Sequence, residues 1–156
     1  MKKIAFVQIG NAILSGLFAF AAIDVIRHST STASAAAFWL TLRFGWPMLV
    51  FLAYGLVFEV AQHLYPRLDA SFDPQQGEQS AADERELQIG RLAAAKTSQW
   101  VLGIVLTGLM VVVVLTVSAT ITKQLLGMIT AGMLGATASA YYLMYLIEWW
   151  RLDRHL

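Results

Sequence analysis

Long apolar runs alternate with short polar segments along the chain, and these runs have the length of membrane-spanning helices. The hydrocarbon core of a bilayer is about 30 Å thick, so a helix that crosses it needs about 20 mainly apolar residues. Four segments meet this requirement: residues 4–26, 36–60, 99–119 and 125–149. Lipid offers no partner for an unpaired backbone amide. The sequence also lacks the alternation of apolar and polar residues that is typical of the strands of a β-barrel. Each run is therefore predicted to be a helix.

The predicted fold is all-α: an integral membrane four-helix bundle made of two helical hairpins, forming a single membrane domain over residues 1–156. A polar segment at residues 66–98 joins the hairpins. Its first part, residues 66–79, has the composition of a flexible linker. Ser80, followed three positions later by Asp83, marks a helix start. We expect a cytoplasmic helix there that runs directly into the third span.

Composition agrees with a membrane protein and excludes several other classes. Hydrophobic residues make up 58% of the chain and charged residues only 13%, which is too apolar for a soluble domain. The net charge of +1 gives no reason to expect a nucleic-acid partner. The chain contains no cysteine, so disulfides, thiol catalysis and cysteine metal sites are excluded. The lipid bilayer is the one partner that composition implies.

Basic residues are distributed unequally between the two sides of the predicted spans. Cytoplasmic loops carry an excess of Lys and Arg. One side holds eight such residues, Lys2, Lys3, Arg67, Arg85, Arg91, Lys96, Arg151 and Arg154, and the other holds Arg27 and Lys123. We therefore predict a multi-pass protein of the plasma (inner) membrane with both termini in the cytoplasm. The first apolar run is longer than a signal-peptide core, so it is interpreted as a retained span.

Two charged residues lie near the outer end of the first hairpin. Arg43 falls inside the predicted second span, where an arginine costs on the order of 3 kcal/mol. Asp24 should lie at a similar depth in the first span, so an intramembrane ion pair between Asp24 and Arg43 is the leading hypothesis. The alternative is that Arg43 extends to the outer headgroups unaided. Pro47 would remove a helical hydrogen bond and is predicted to kink the second span.

A stripe of small residues marks the fourth predicted span at a spacing of four: Gly127, Ala131, Gly135 and Ser139. Small residues let membrane helices approach closely. This helix-packing face could contact the protein's own spans, a second copy or a partner helix, and the sequence leaves these alternatives open.

Candidate chemistry is sparse. Glu59 and His63 are one helical turn apart near the inner end of the second span, a spacing compatible with proton exchange or with two metal ligands. The only further carboxylate at that level is Glu148, so interfacial contact with water or headgroups is the preferred interpretation. No nucleophile, phosphate-loop or metal-binding motif is present. We therefore predict no enzymatic activity, no catalytic residue, no cofactor and no metal.

A charged motif precedes the third span. Asp83, Glu84, Arg85 and Glu86 are followed by Ile89 and Ala93, and this pattern resembles a signature of small prokaryotic membrane proteins with two hairpins and a polar middle loop. Leu92 stands where that pattern has a basic residue, and Arg91 comes one position earlier. The resemblance implies a fold and a location but no activity. Acidic residues suit a helix N-terminus and basic residues suit anionic headgroups; docking to a cytoplasmic partner is the alternative role of the motif.

Two functional hypotheses remain. The first is a non-enzymatic accessory or regulatory membrane protein that packs against a membrane-protein partner through the small-residue face and the charged cytoplasmic helix. The second is a small transporter or channel that works as a homo-oligomer, with Arg43, Asp24 and Glu59 along a polar path.

Overall fold

The computed structural model describes residues 2–33, 38–67, 84–117 and 121–155, and within them the chain forms four long helices and one two-stranded ribbon. The helices are α1 (Lys2–His28), α2 (Trp46–Leu64), α3 (Glu84–Val117) and α4 (Lys123–Asp153). A 3₁₀ turn, Tyr65–Arg67, follows α2. The predicted all-α class is confirmed. The linker predicted at 66–79 lies largely outside the described residues.

A short β-ribbon connects α1 to α2. Strand β1 (Thr30–Ala33) pairs antiparallel with β2 (Phe38–Thr41), with Thr30 opposite Thr41 and Ala33 opposite Phe38. Threonine and aromatic residues favour extended backbone, and the pairing satisfies the backbone groups on the facing edges of the two strands. The outer edges of the ribbon lack such partners and are tolerated near water rather than in hydrocarbon, so the ribbon suits a membrane surface.

The ribbon corrects the predicted start of the second span. That span was expected from residue 36, but the helix begins at Trp46. Gly45 has extended backbone, and Pro47 occupies the first turn of the helix, where its missing amide proton costs nothing and its fixed φ suits a helix start. A hydropathy window cannot distinguish an apolar strand from an apolar helix, so the predicted second span included both β2 and α2.

The helices pack as an open row in the order α2, α1, α4, α3. Extensive packing joins α1 to α4, α3 to α4 and α1 to α2. Both predicted hairpins are therefore present as packed pairs, and α1 and α4 join them along the middle. Helices α2 and α3 lie at the edges of this row.

Three helical segments in the described ranges are long and apolar enough to cross a membrane: Lys2–His28, Trp46–Arg67 and Glu84–Val117. Helix α3 has 34 residues, a length of about 51 Å, so it extends well beyond a hydrocarbon core of about 30 Å. Residues 84–98 and most of the predicted third span thus belong to one continuous helix. Helix α4, which contains the fourth predicted span, is 31 residues long but is not among these three segments. Its many Gly, Ala, Ser and Thr residues lower its mean hydropathy.

Candidate functional site

The charged motif before α3 is tied to both neighbouring helix ends. The Lys3 ammonium, near the start of α1, lies 3.3 Å from the Glu86 carboxylate. The Arg85 guanidinium lies 3.3 Å from the Asp153 carboxylate and donates a hydrogen bond to the backbone carbonyl of Asp153 at 2.8 Å. That carbonyl is one of the last in α4 and has no helical partner. The motif therefore fastens three helix ends together; Asp83 lies outside the described residues.

A small apolar core lies directly beneath these ion pairs. It consists of five buried residues from three helices: Ile4, Ile89, Ala93, Tyr145 and Trp149. We call it the inner-end cluster, because the sequence predicts that this end faces the cytoplasm. Ile89 and Ala93 are fully buried, and Trp149 is only 2% exposed. Isoleucine and alanine at a spacing of four place both α3 side chains on one face. The residues that follow the acidic run in the motif are therefore the core contacts of α3.

Other charged residues at this end are also paired. Glu148 lies 3.8 Å from the Lys96 ammonium and 4.0 Å from the Arg151 guanidinium. Glu59 pairs instead with His63 at 3.5 Å, and both side chains are about two-thirds exposed. No cluster of three or more metal-ligating side chains occurs within the described parts of the chain. The Glu59 and His63 pair thus gains no third ligand from Glu148.

At the outer end, Asp24 has a different partner from the one predicted. Its carboxylate lies 3.2 Å from Nδ1 of His28, one turn further along α1, and the Asp24 side chain packs against Gly45. The other carboxylate oxygen, Oδ2, is buried and has no hydrogen-bond partner in the described part of the chain. Gly45 is suited to this contact because any side chain there would collide with the carboxylate.

Arg43 is not inside a span. It lies in the extended segment between β2 and α2, where its backbone amide donates to the Ser29 hydroxyl at 3.1 Å, and its side chain is exposed. Among the described residues it forms no ion pair with Asp24. The cause is the late start of α2, which moves Arg43 out of the helix. The same shift removes the predicted kink, because Pro47 lies in the first helical turn rather than in the interior.

The small-residue face of α4 packs against α1. Gly135 lies against Ala19, where even a methyl group would collide. The Ser139 hydroxyl donates a hydrogen bond to the Ala12 carbonyl at 2.9 Å. A side chain at Gly127 would be 3.5 Å from Ile26. Gly127, Gly135 and Ser139 of the predicted face therefore lie against α1 within the chain.

Two polar side chains that anchor one helix to another could not be identified from the sequence. The Gln124 amide donates to the carbonyls of Ile26 at 3.0 Å and Arg27 at 2.7 Å, so the start of α4 satisfies carbonyls at the end of α1. The Tyr54 hydroxyl donates to the Gly10 carbonyl at 3.3 Å. Such contacts depend on which helices are neighbours, which spacing along the chain does not reveal.

Leu134 lies between two apolar grooves on the face of α4 that α1 leaves uncovered, and it is 65% exposed. One groove, of about 400 Å³, is lined by residues of α1, α2 and α4, including Phe18, Phe51 and Ala138. The other, of about 160 Å³, lies between α4 and α3. We call Leu134 together with the two grooves beside it the Leu134 face. The lining of both grooves is almost entirely apolar, with Ser15, Thr130 and Thr137 as its hydroxyl-bearing residues.

Comparison with known proteins gives a family but no activity. No curated protein and no solved structure matches the chain. A family model described as "Predicted membrane protein (DUF2178)" matches residues 2–156. The expectation of a membrane-protein family is thus confirmed at this level, and the chain belongs to the DUF2178 family of predicted membrane proteins.

Proposed function

We propose that this chain is a non-enzymatic accessory or regulatory protein with four membrane spans, and that it acts by packing its Leu134 face against a helix of another membrane protein. In this proposal it is a multi-pass protein of the plasma (inner) membrane, and both termini lie in the cytoplasm. The observation that carries the proposal is the open row of helices, which leaves the Leu134 face uncovered.

The contacts of α4 support a fourth span. Going outward to inward along α4, Gly127, Gly135 and Ser139 meet residues near positions 26, 19 and 12 of α1. At the inner end, Tyr145 and Trp149 meet Ile4. The two helices thus run antiparallel over nearly their whole length, which supports a course for α4 across the bilayer beside α1. Small residues, which favour such packing, also explain the low hydropathy of α4.

The composition of the Leu134 face supports a helix as its occupant. Ala131 and Ala138 flank Leu134 one turn away on either side, so a partner backbone could approach closely while Leu134 filled a hole in its surface. Of the predicted packing face of α4, Gly135 and Ser139 contact α1. Ala131 lines the groove beside Leu134 instead, so the proposed partner contact lies on this neighbouring side. The charged residues at the start of α3 are also engaged within the chain, because Arg85 and Glu86 have intramolecular partners.

The transporter alternative gains no specific support. Asp24 lies near the outer end of α1 and Glu59 near the inner end of α2, where it is 69% exposed, and Arg43 lies outside the helices. Within the described residues these three groups do not line a common path, and the grooves are almost entirely apolar.

A photo-crosslinking amino acid at position 134 tests the proposal, with the same substitution at Leu56 as the matched control. Both are leucines with similar exposure, 65% and 70%, but Leu56 lies on α2 away from the grooves. Crosslinking in the native membrane should yield one reproducible adduct with a second protein from position 134 and only lipid adducts from position 56. A Leu134→Trp variant should lose co-purification of that protein while keeping its own yield. Equal adducts from both positions, or homo-oligomers alone, would contradict the proposal.

A further inference from the structure

A third groove lies at the inner end of the molecule, between the first turn of α1 and the last turns of α4. Its volume is about 440 Å³, and it is lined by Lys2, Ala5, Leu146, Ile147, Trp149 and Trp150. Trp149 is buried, whereas Ile147 is 60% exposed and Trp150 50% exposed. The groove is therefore an open apolar channel with a single cationic residue in its lining.

The charges around this groove are unbalanced. Three of the acidic residues at this end each have a basic partner: Glu86 pairs with Lys3, Asp153 with Arg85 and Glu148 with Lys96. Lys2 forms no ion pair with a described residue. The Arg154 guanidinium lies over the Trp150 ring, 3.9 Å from its centroid, a contact that orients the cation without neutralising it. Positive charge is thus left over at the mouth of an apolar channel.

We propose that this groove binds one anionic phospholipid. An acyl chain would lie along Ala5, Leu146 and Ile147, and the phosphate would sit between Lys2 and Arg154. Tryptophan and basic residues at the membrane surface are suited to the level of lipid headgroups, and basic pockets between spans are suited to anionic headgroups. The complementary charge and the apolar lining together select a lipid over a soluble anion, which would gain nothing from the apolar walls. This proposal does not depend on the Leu134 face.

Trp150 allows the site to be tested by fluorescence quenching, because bromine atoms on a lipid chain quench a nearby indole. The purified full chain is reconstituted in phosphatidylcholine vesicles that contain a small fraction of either dibrominated phosphatidylglycerol or dibrominated phosphatidylcholine. A Trp150→Phe variant isolates the signal of Trp150 from those of the other tryptophans. We expect the anionic brominated lipid to quench Trp150 more strongly than the neutral one at equal fraction.

Charge variants then separate a built site from general attraction to the surface. Each basic side chain near a membrane contributes about 1 kcal/mol to the binding of anionic lipid, so Lys2→Gln and Arg154→Gln should each weaken the preference about fivefold. The control is the double variant Arg91→Gln with Lys123→Gln, which removes two exposed cations elsewhere and should keep the preference. Equal quenching by both lipids in the unmodified chain, or an equal loss in the control, would overturn the proposal.

A third variant tests the groove without changing charge. Ala5→Phe fills the channel and should remove the excess quenching by the anionic lipid. Full quenching in an Ala5→Phe protein that elutes as a single species would show that the lipid does not occupy the groove. The charge variants keep the proposal testable if this substitution prevents folding, because Lys2 and Arg154 are exposed.

Discussion

Lys3 and Glu86 form an ion pair of 3.3 Å in which the lysine side chain is only 8% exposed. They belong to the first turns of α1 and α3, two helices that do not follow one another in the chain. A buried ammonium is costly unless it is paired. The pair therefore fixes how the two helix ends meet above the inner-end cluster.

We expect Lys3→Met to destabilise the protein by on the order of 1 to 3 kcal/mol, because the methionine keeps the apolar stem but leaves Glu86 without its cation. The control is Lys2→Met, an exposed neighbour with the same chemical change, which should alter stability by less than about 0.5 kcal/mol. Thermal unfolding in one detergent measures both. Equal melting temperatures for the two variants would contradict a structural role for the pair.

The close contact of α4 with α1 makes a second prediction. Gly135→Ala places a methyl group against Ala19, and overpacking of this kind costs about 1 to 3 kcal/mol. Gly103→Ala is the matched control, because nothing lies within 4 Å of the added methyl group. The control should be neutral or slightly stabilising, since alanine favours a helix. A Gly135→Ala protein as stable as the control would show that α1 and α4 are farther apart than described.

Much of this architecture follows from the sequence, and the exceptions have physical reasons. Hydropathy predicts where membrane helices lie because the thickness of the bilayer sets their minimum length. It also assigned the strand Phe38–Thr41 to the second span, which was wrong. That error of local structure carried over to chemistry, since it placed Arg43 and Pro47 inside a helix. The spacing of four in α4 places Gly135 and Ser139 on one face, and both lie against α1, because such a spacing reflects local helix geometry. The partners of Arg85 and Glu86 were not predictable, because they belong to distant parts of the chain.

The two candidate partners of Asp24 can be distinguished by double-mutant cycles. The structure pairs Asp24 with His28, whereas the sequence suggested Arg43. Asp24→Asn should therefore be coupled to His28→Gln by about 1 kcal/mol, because the aspartate is mostly buried. It should be additive with Arg43→Gln within about 0.5 kcal/mol. Unfolding of the four proteins in each cycle gives both coupling energies, and a larger coupling to Arg43 would restore the ion pair that the sequence suggested.

The orientation of α4 yields the last prediction, which uses the absence of cysteine in the natural chain. Lys123→Cys and Arg154→Cys each introduce one thiol, at opposite ends of α4, and both positions are exposed. If α4 crosses the membrane with α1, a maleimide that cannot cross membranes should label position 123 in intact cells and position 154 only after permeabilisation. Equal labelling of the two positions from one side would mean that α4 lies along the membrane surface. Because α4 packs on α1, α1 would then also have to lie at the membrane surface. This is unfavourable, because α1 is a 27-residue, mainly apolar helix. A helix that is apolar on all sides is stable only when lipid or protein surrounds it.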